Sequence, residues 1–445
     1  MHLRRWSIAL IGLAAMSGGG TWWSFRRLRA MEHEATAKSA AAVVAERETR
    51  AADVAFYEVR AAEDPESAAD RAQLAALYLQ RARETSNEGD YLRAEQNARA
   101  SLALRVLRND AASVVLTSAL LAQHRFLEAR DAARSLVAAE PSVDAFRALL
   151  GETCLELGDY AGARAAFAAI GQRGRRSLAV APRLARWAEI RGDTTSARAI
   201  LREAVETVDK QRNLPREQAA WFHLRLADLY LRQGRERGAE RELRRGLSIN
   251  PSDHRLLAAL AHVSAVRHDW RAAIQYGDSA IAIVLDPATL GVVSDAYAAL
   301  GDTTRATEYA GAMQVAVGQQ PGAYHRAWSL FLLDHGRRVP EVLAAAQAEL
   351  DGGRRDTQGY DLLAWALHKS SRPREAREVM TAALAQGTQD AVLFYHAGMI
   401  AREAGDAVSA RHYLQRALAI APSFDYAAPS IARAALDSLR RGAAE

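Results

Sequence analysis

Cysteine and lysine are both scarce in this chain of 445 residues. The single cysteine, Cys154, excludes an intramolecular disulfide and a zinc site built from several thiolates, but it leaves the redox compartment open. None of the three lysines follows a glycine. The chain therefore lacks the Gly-Lys-Ser/Thr loop that cradles phosphates in nucleotide-binding proteins.

Other motifs that carry chemistry are missing as well. No Gly-x-Ser-x-Gly elbow occurs, and the glycine run at 18–20 lies in an apolar amino-terminal stretch rather than after a strand. The closest histidines, His262 and His268, are six residues apart, whereas two zinc ligands on one helix usually stand four apart. The sequence therefore predicts no catalytic residue, no metal and no cofactor. An enzyme or small-molecule sensor stays an alternative that a bound cofactor in purified protein would support.

Charge is nearly balanced, with 58 Lys+Arg against 53 Asp+Glu and a formal net charge of +5. The acidic residues are interleaved with the basic ones rather than segregated from them. Two arginine-rich clusters, at 172–176 and 241–245, contain no interleaved aromatic residues that could stack on bases. We therefore expect no nucleic-acid partner.

The amino terminus, residues 1–29, has the composition of a targeting segment. Residues 6–25 carry no charge and are flanked by arginines on both sides, and 20 helical residues would span about 30 Å, the thickness of a hydrocarbon core. The strongly apolar part ends at Met16 and is followed by small residues, which also fits a cleavable signal peptide. Both interpretations stay open. A buried first helix is disfavoured by the glycines at 18–20, each of which costs a helix interior about 1 kcal/mol.

From residue 68 onward one pattern recurs, mostly every 34 residues. A clear copy has a small residue, Gly151, an apolar one, Cys154, then Gly158-Asp159 and Ala163. Apolar positions three and four apart predict two amphipathic helices per copy, and the glycine and aspartate suit the turn between them. The ten copies start at residues 68, 110, 144, 178, 220, 254, 287, 322, 357 and 391.

These copies resemble the tetratricopeptide repeat superfamily over residues 68–424. The resemblance implies an all-α fold, a right-handed α-solenoid of about ten helix-turn-helix repeats with capping helices. No single pair covers its own apolar faces, so stacking of neighbours builds the core. We assign residues 30–46 to a spacer, 47–67 to an amino-terminal capping helix, and 425–445 to a carboxy-terminal capping helix and tail.

The resemblance also implies that the first helices of successive repeats line a concave, ligand-binding surface. The first three repeats lack the Lys or Arg and Asn with which cochaperone relatives clamp a peptide carboxylate, so we expect no such clamp there. Later repeats are richer in charged and aromatic residues, a composition typical of binding hot spots. An open alternative is that some of these rings merely pack between helices. The candidate partner-binding residues are Arg186, Asp228, His262, Asp295, Arg326, Asp361, Trp365, Tyr395 and Met399.

Together these features predict a non-enzymatic scaffold of the bacterial envelope type. It would bind a protein or peptide partner on its concave face, with no small-molecule substrate, and contact the membrane through its amino terminus. The array would lie outside the cytoplasm, either periplasmic or anchored at the inner membrane. The alternative is an assembly or maturation factor of a membrane complex, of the cytochrome-maturation or envelope-assembly type.

Overall fold

The computed structural model describes residues 34, 36–318 and 326–441, and every regular element in those ranges is helical. The predicted targeting segment, residues 1–29, lies outside the described residues. Among the helices that are described, none combines the length and the apolar character needed to cross a bilayer. The all-α class predicted from the repeat pattern is confirmed.

A long helix, α1 (residues 36–63), is followed by ten helix pairs. Most of their first helices begin where the predicted copies start, whereas that of the fourth pair begins three residues later and that of the fifth four residues earlier. The first helices of the pairs are α2 (Ala68–Thr85), α4 (Asp110–Ala122), α6 (Asp144–Glu156), α8 (Ala181–Ile190), α10 (Arg216–Arg232), α12 (His254–Val266), α14 (Pro287–Ala299), α16 (Arg326–Asp334), α18 (Thr357–Lys369) and α20 (Ala391–Glu403). The second helices are α3 (Glu88–Leu104), α5 (Phe126–Ala139), α7 (Tyr160–Ala168), α9 (Thr194–Val208), α11 (Glu236–Ile249), α13 (Trp270–Ile281), α15 (Thr303–Gly318), α17 (Val339–Asp351), α19 (Pro373–Leu384) and α21 (Ala407–Ile420). A single 3-10 turn (Gly174–Arg176) precedes α8, and α22 (Ala428–Arg441) packs after the last pair.

Small residues let the two helices of a pair approach closely, as the pattern requires. A Cβ atom added to Gly151 on α6 would lie 2.6 Å from the ring of Phe167 on α7. A Cβ atom added to Gly398 on α20 would lie 2.6 Å from Leu414 on α21. Both distances are shorter than van der Waals contact, so a larger side chain would push the helices apart.

The turn between the helices of a pair uses the glycine and aspartate of the pattern. In the third pair, Gly158 has a φ of 70°, the left-handed conformation that ends α6 without steric cost. The next residue, Asp159, accepts a hydrogen bond of 2.8 Å from the amide of Gly162 and so caps α7. The repeat motif thus encodes both the end of one helix and the start of the next.

The helix α1 packs against the first pair and also contacts the fifth, where Glu46 accepts a hydrogen bond of 3.1 Å from the amide of Arg216. Val54 and Ala61 are buried in the cluster formed with α2. Arg50 pairs with Glu84 at the end of α2, at 3.1 Å. The helix is continuous from 36 to 63, so it includes much of the predicted spacer as well as the predicted cap.

The superhelix closes on itself where turns of middle repeats meet loops of late repeats. The hydroxyl of Tyr160 accepts a hydrogen bond from the amide of Thr357 at 2.8 Å. In the next repeat, the hydroxyl of Thr388 donates to the carbonyl of Ile190 at 2.6 Å. We call these contacts, between the α6–α7 and α8–α9 turns and the loops before α18 and α20, the closure seam. They turn the concave face into an interior.

Candidate partner-binding site

A cavity of about 1030 Å³ occupies the interior. One wall is formed mainly by the first helices α4, α6, α8 and α10, and the opposite wall by α16, α18 and α20. The volume is at the upper end of the range for pockets that bind small molecules. The inner helices of the solenoid therefore face a space that can hold a ligand, as the resemblance implied.

Apolar side chains supply part of the lining. Val114 and Leu121 face the cavity from α4, Leu155 from α6, Trp221 from α10 and Leu330 from α16. These residues come from four different repeats. A ligand in the cavity would bury apolar surface against several repeats at once, which is the main source of binding free energy.

Ion pairs between neighbouring first helices form the rest of the near wall. Arg183 on α8 lies 2.6 Å from Glu152 on α6, and Arg186 pairs with Glu156 one helical turn further on. Between α8 and α10, Glu189 receives Arg232 at 2.7 Å and Arg225 at 3.4 Å. All of these charged groups line the cavity. The ladder of pairs holds the inner helices together while presenting both signs of charge.

Burial shifts the pKa values of charged groups in this wall. Burial, together with the positive charge of neighbouring Arg232, lowers the pKa of Arg225. Burial likewise raises the pKa of Asp228, against the attraction of Arg225 and Arg232. Burial also opposes the charge of Arg186, but Glu156 outweighs it and holds the pKa of that guanidinium above its usual value. The wall is thus a low-dielectric environment in which charge complementarity with a ligand counts strongly.

The opposite wall carries a second chain of charges. Arg326 on α16 donates hydrogen bonds of 2.7 Å to Asp361 on α18 and to the carbonyl of Gln358. Asp361 is 2% exposed, and its other oxygen lies 2.8 Å from Nδ1 of His396 on α20. Burial would raise the pKa of Asp361, but His396 and Arg326 together lower it. Of the predicted residues, Arg186, Arg326 and Asp361 line the cavity.

Two of the predicted aromatic anchors pack between helices, which is the alternative that the sequence left open. Trp365 is 2% exposed; its indole donates to Asp334 at 2.9 Å and stacks on His396 with ring centroids 4.1 Å apart. Tyr395 is buried beside it, and Met399 is half-buried against the same core cluster. These side chains hold α16, α18 and α20 together and take no part in the cavity lining described above.

The three remaining predicted residues lie on consecutive first helices, α10, α12 and α14. Asp228 is part of the buried charge network of α10. The carboxylate of Asp295 on α14 receives the hydroxyl of Tyr426 and lies 2.8 Å from Nε2 of His335. His262 is half-buried, and burial lowers its pKa although Asp425 and Asp228 act in the opposite direction. Two of the three therefore face the loop between α21 and α22.

The predicted candidates stand at the fifth or the ninth residue of a repeat, as Asp361 and Arg186 do, and several cavity residues stand at other positions. Arg183 and Arg225 are each the sixth residue of a repeat, and Glu189 and Arg232 are the twelfth and thirteenth. These positions lie three or four residues from the ninth position, so they share its helix face. Helical spacing from the ninth position was the signal that could have found them.

The described residues contain no cluster of metal ligands, and their one cysteine has an unreactive thiol. No group of three or more His, Cys, Asp or Glu side chains that could hold a metal occurs within them. Cys154 is buried between α6 and α7, and burial raises the pKa of its thiol to about 11. The thiolate, which is the reactive form, is therefore disfavoured at neutral pH.

Comparisons with known proteins indicate the class of protein to which the repeats correspond. Residues 190–263, which extend from the end of α8 into α12, match the family model described as tetratricopeptide repeat. The matched segment contains tetratricopeptide repeats, and the helix pairs on either side of it continue the same repeat pattern. Such repeats are generally non-catalytic protein-interaction scaffolds. No curated protein matches the chain.

Many solved structures match the chain, and two of them are similar over most of its length at low identity. One is a chain of the crystal structure of the APC/C hetero-tetramer Cut9–Hcn1, 13% identical, covering 88% of this chain and 94% of that chain with a TM-score of 0.34. The other is the human IFIT1 dimer with PPP-AAAA, 12% identical, covering 78% of this chain and 82% of that chain with a TM-score of 0.42.

Proposed function

We propose that this chain is a non-enzymatic scaffold that encloses a segment of a partner protein within its interior cavity. The observation that carries the proposal is the cavity of about 1030 Å³, lined by the inner helices of repeats from both halves of the array. A ligand seated there contacts many repeats at once, which is how solenoids obtain affinity from individually small contacts.

The lining suits a peptide better than a purely apolar or purely anionic ligand. Apolar side chains such as Trp221 and Leu330 can receive aliphatic or aromatic side chains, and the ion-pair ladders offer both signs of charge. A buried peptide must also pair its backbone N–H and C=O groups. Amide and hydroxyl side chains that can serve this need line the same cavity, and they are Gln218, Gln233, Thr357, Gln358 and Gln389.

We further propose that the scaffold works in a bacterial cell envelope, at or across the inner membrane, with the array outside the cytoplasm. The support is the uncharged run at 6–25 with arginines on both sides. Amino-terminal sequencing of the mature protein distinguishes a removed signal from a retained anchor. Protease access to the array in intact spheroplasts tests its side of the membrane, and full protection would contradict an array outside the cytoplasm.

Affinity purification of the full chain, followed by mass spectrometry, tests the binding proposal. Ser118→Trp fills the cavity from α4, and Leu330→Arg places a charge in its apolar lining. Val408→Arg is the matched control, since Val408 is 79% exposed and outside the lining. We expect both cavity variants to lose the partner that the wild type and the control retain, with unchanged helical circular dichroism.

Recovery of the same partner by all four proteins would contradict binding in the cavity. Recovery of subunits of a membrane complex as the partner would favour the assembly or maturation role over a general scaffold.

A further inference from the structure

The loop between α21 and α22 runs onto the inner face of earlier repeats. At its centre, the hydroxyl of Tyr426 donates a hydrogen bond to Asp295 on α14. The Tyr426 ring meets Trp270, the first residue of α13, edge-on with centroids 6.0 Å apart. The ring also packs against the small cluster that Ala265 and Ala296 form between α12 and α14. A residue from the carboxy-terminal end of the array thus contacts the sixth and seventh repeats.

The residues before Tyr426 extend this contact along the array. Phe424 packs against Tyr395 of α20, with ring centroids 5.7 Å apart. Ser423 donates a hydrogen bond to Glu236 at the start of α11. We call residues 423–426 the strap. It is a bent segment outside any helix, its four side chains are half-buried, and it is held at both ends by α21 and α22.

The chemistry of the strap is complementary to the surface beneath it. Burial, reinforced by the carboxylate of Asp295, raises the pKa of Tyr426, so its hydroxyl stays protonated and can donate. Asp425 accepts hydrogen bonds from the amides of Ala427 and Ala428 at 2.7 and 2.9 Å, and its negative charge acts on the pKa of His262 of α12 in the direction that favours the charged imidazole, whereas burial opposes it. The strap therefore presents an aromatic, an acidic and a second aromatic residue in sequence to a surface of aromatic rings, a histidine and a carboxylate acceptor.

Two of the residues that the repeat pattern assigned to the ligand-binding face, Asp295 and Tyr395, contact the strap directly, and the charge of Asp425 acts on a third, His262. We propose that the strap is an internal ligand, and that a partner segment with an aromatic–acidic–aromatic triplet replaces it on the inner face of repeats five to seven. This proposal rests on the proposed function, because the triplet would belong to the same partner whose neighbouring residues fill the cavity.

The size of the strap makes such an exchange feasible. A short segment tethered at both ends competes with an effective concentration on the order of millimolar. A free peptide that makes only the same contacts is therefore outcompeted, whereas a partner that adds contacts in the cavity gains the affinity needed to displace the strap. Removing the strap side chains should expose the site to a free peptide.

The test uses the full chain and a fluorescein-labelled heptapeptide with the sequence of residues 421–427, Ala-Pro-Ser-Phe-Asp-Tyr-Ala. Fluorescence anisotropy measures its binding to the wild type, to the double variant Phe424→Ala/Tyr426→Ala, and to Ile431→Ala. Ile431 is the matched control because it lies on α22, is 44% exposed and is outside the strap. We expect the double variant to bind the peptide at least about tenfold more tightly than the wild type and the control.

Adding Asp295→Asn to the double variant should weaken binding of the peptide, and replacing the peptide's tyrosine by phenylalanine should weaken binding as well. The two changes together should weaken peptide binding no more than either change alone, because both remove the same hydrogen bond. Equal binding by the wild type and the double variant, or equal binding of a scrambled heptapeptide, would overturn the proposal.

If circular dichroism shows that the double variant is unfolded, Tyr426→Phe alone takes its place. It removes only the hydroxyl, and no gain in peptide binding there would likewise overturn the proposal. The proposed function is tested separately: if Ser118→Trp still abolishes partner capture while the strap variants fail to bind the heptapeptide, only the strap proposal falls.

Discussion

The closure seam can be tested at Gly158, which has a φ of 70° in the turn between α6 and α7. A Cβ atom added there would lie 2.0 Å from the carbonyl oxygen of Arg355 and 2.4 Å from its carbonyl carbon. Neither atom belongs to a flexible side chain, so Gly158→Ala must move the loop before α18 away from the turn. Gly405 occupies the same kind of turn in the last pair with a φ of 82° and has nothing within 4 Å of an added Cβ.

Both substitutions reduce the free energy of unfolding through backbone strain, and Gly158→Ala reduces it further by opening the seam. An alanine in the left-handed region costs roughly 1–2 kcal/mol at either site. At Gly158, separation of the seam also breaks the hydrogen bond from Thr357 to Tyr160 and the 3.4 Å one from Arg355 to the carbonyl of Leu157. At about 1 kcal/mol for each hydrogen bond, the seam adds roughly 2 kcal/mol. Gly158→Ala should therefore destabilise the protein by roughly 2 kcal/mol more than Gly405→Ala.

Urea denaturation followed by circular dichroism compares the free energies of unfolding, and small-angle X-ray scattering compares the shapes. We expect Gly158→Ala alone to increase the radius of gyration, because an opened seam lets the superhelix extend. Equal unfolding free energies and equal radii of gyration for the two variants would refute the reasoning that the seam closes the cavity.

Three further predictions concern the interior. Trp365→Ala should lower the free energy of unfolding by about 3–5 kcal/mol, because it removes a buried ring and leaves Asp334 without its indole donor; urea titration measures this. Glu189→Gln should lower it by about 2 kcal/mol, because two guanidinium groups share that carboxylate, whereas the exposed Glu203→Gln should change it by less than about 0.5 kcal/mol in the same assay. Asp361 has a lowered pKa in the folded protein, so its stabilising effect is present above the unfolded value of about 3.9 and is lost as the pH falls through the folded value. The wild type should accordingly lose more stability below about pH 4 than Asp361→Asn does, as measured by thermal unfolding at a series of pH values, and parallel losses would contradict the assignment.

The repeat architecture could be predicted because its determinants are local. Gly151 meets Phe167 only 16 residues away, and the turn between them is encoded by Gly158 and Asp159. Each repeat needs only its own helix period, a small residue at the crossing and a turn signal. The ten predicted copies therefore coincide with ten helix pairs.

The candidate site could be predicted only in part. Of the residues that the spacing of the repeat singled out, Arg186, Arg326 and Asp361 line the cavity. The spacing could not distinguish a cavity-lining residue from one covered by the next helix, and Trp365 and Tyr395 are of the second kind. Burial of a side chain depends on neighbours in adjacent repeats, which the pattern of a single repeat does not describe.

The sequence by itself determined the all-α repeat architecture and the start of most first helices, although α8 begins three residues after the predicted copy and α10 four residues before it. Only the tertiary structure decided that the solenoid closes into a cavity and that its own strap covers part of the inner face. The closing contact between Tyr160 and Thr357 joins residues 197 positions apart, and the contact between Tyr426 and Asp295 joins residues 131 apart. Such contacts depend on the sum of small rotations between successive repeats. No single repeat encodes that sum, so it becomes visible only when the whole array is assembled.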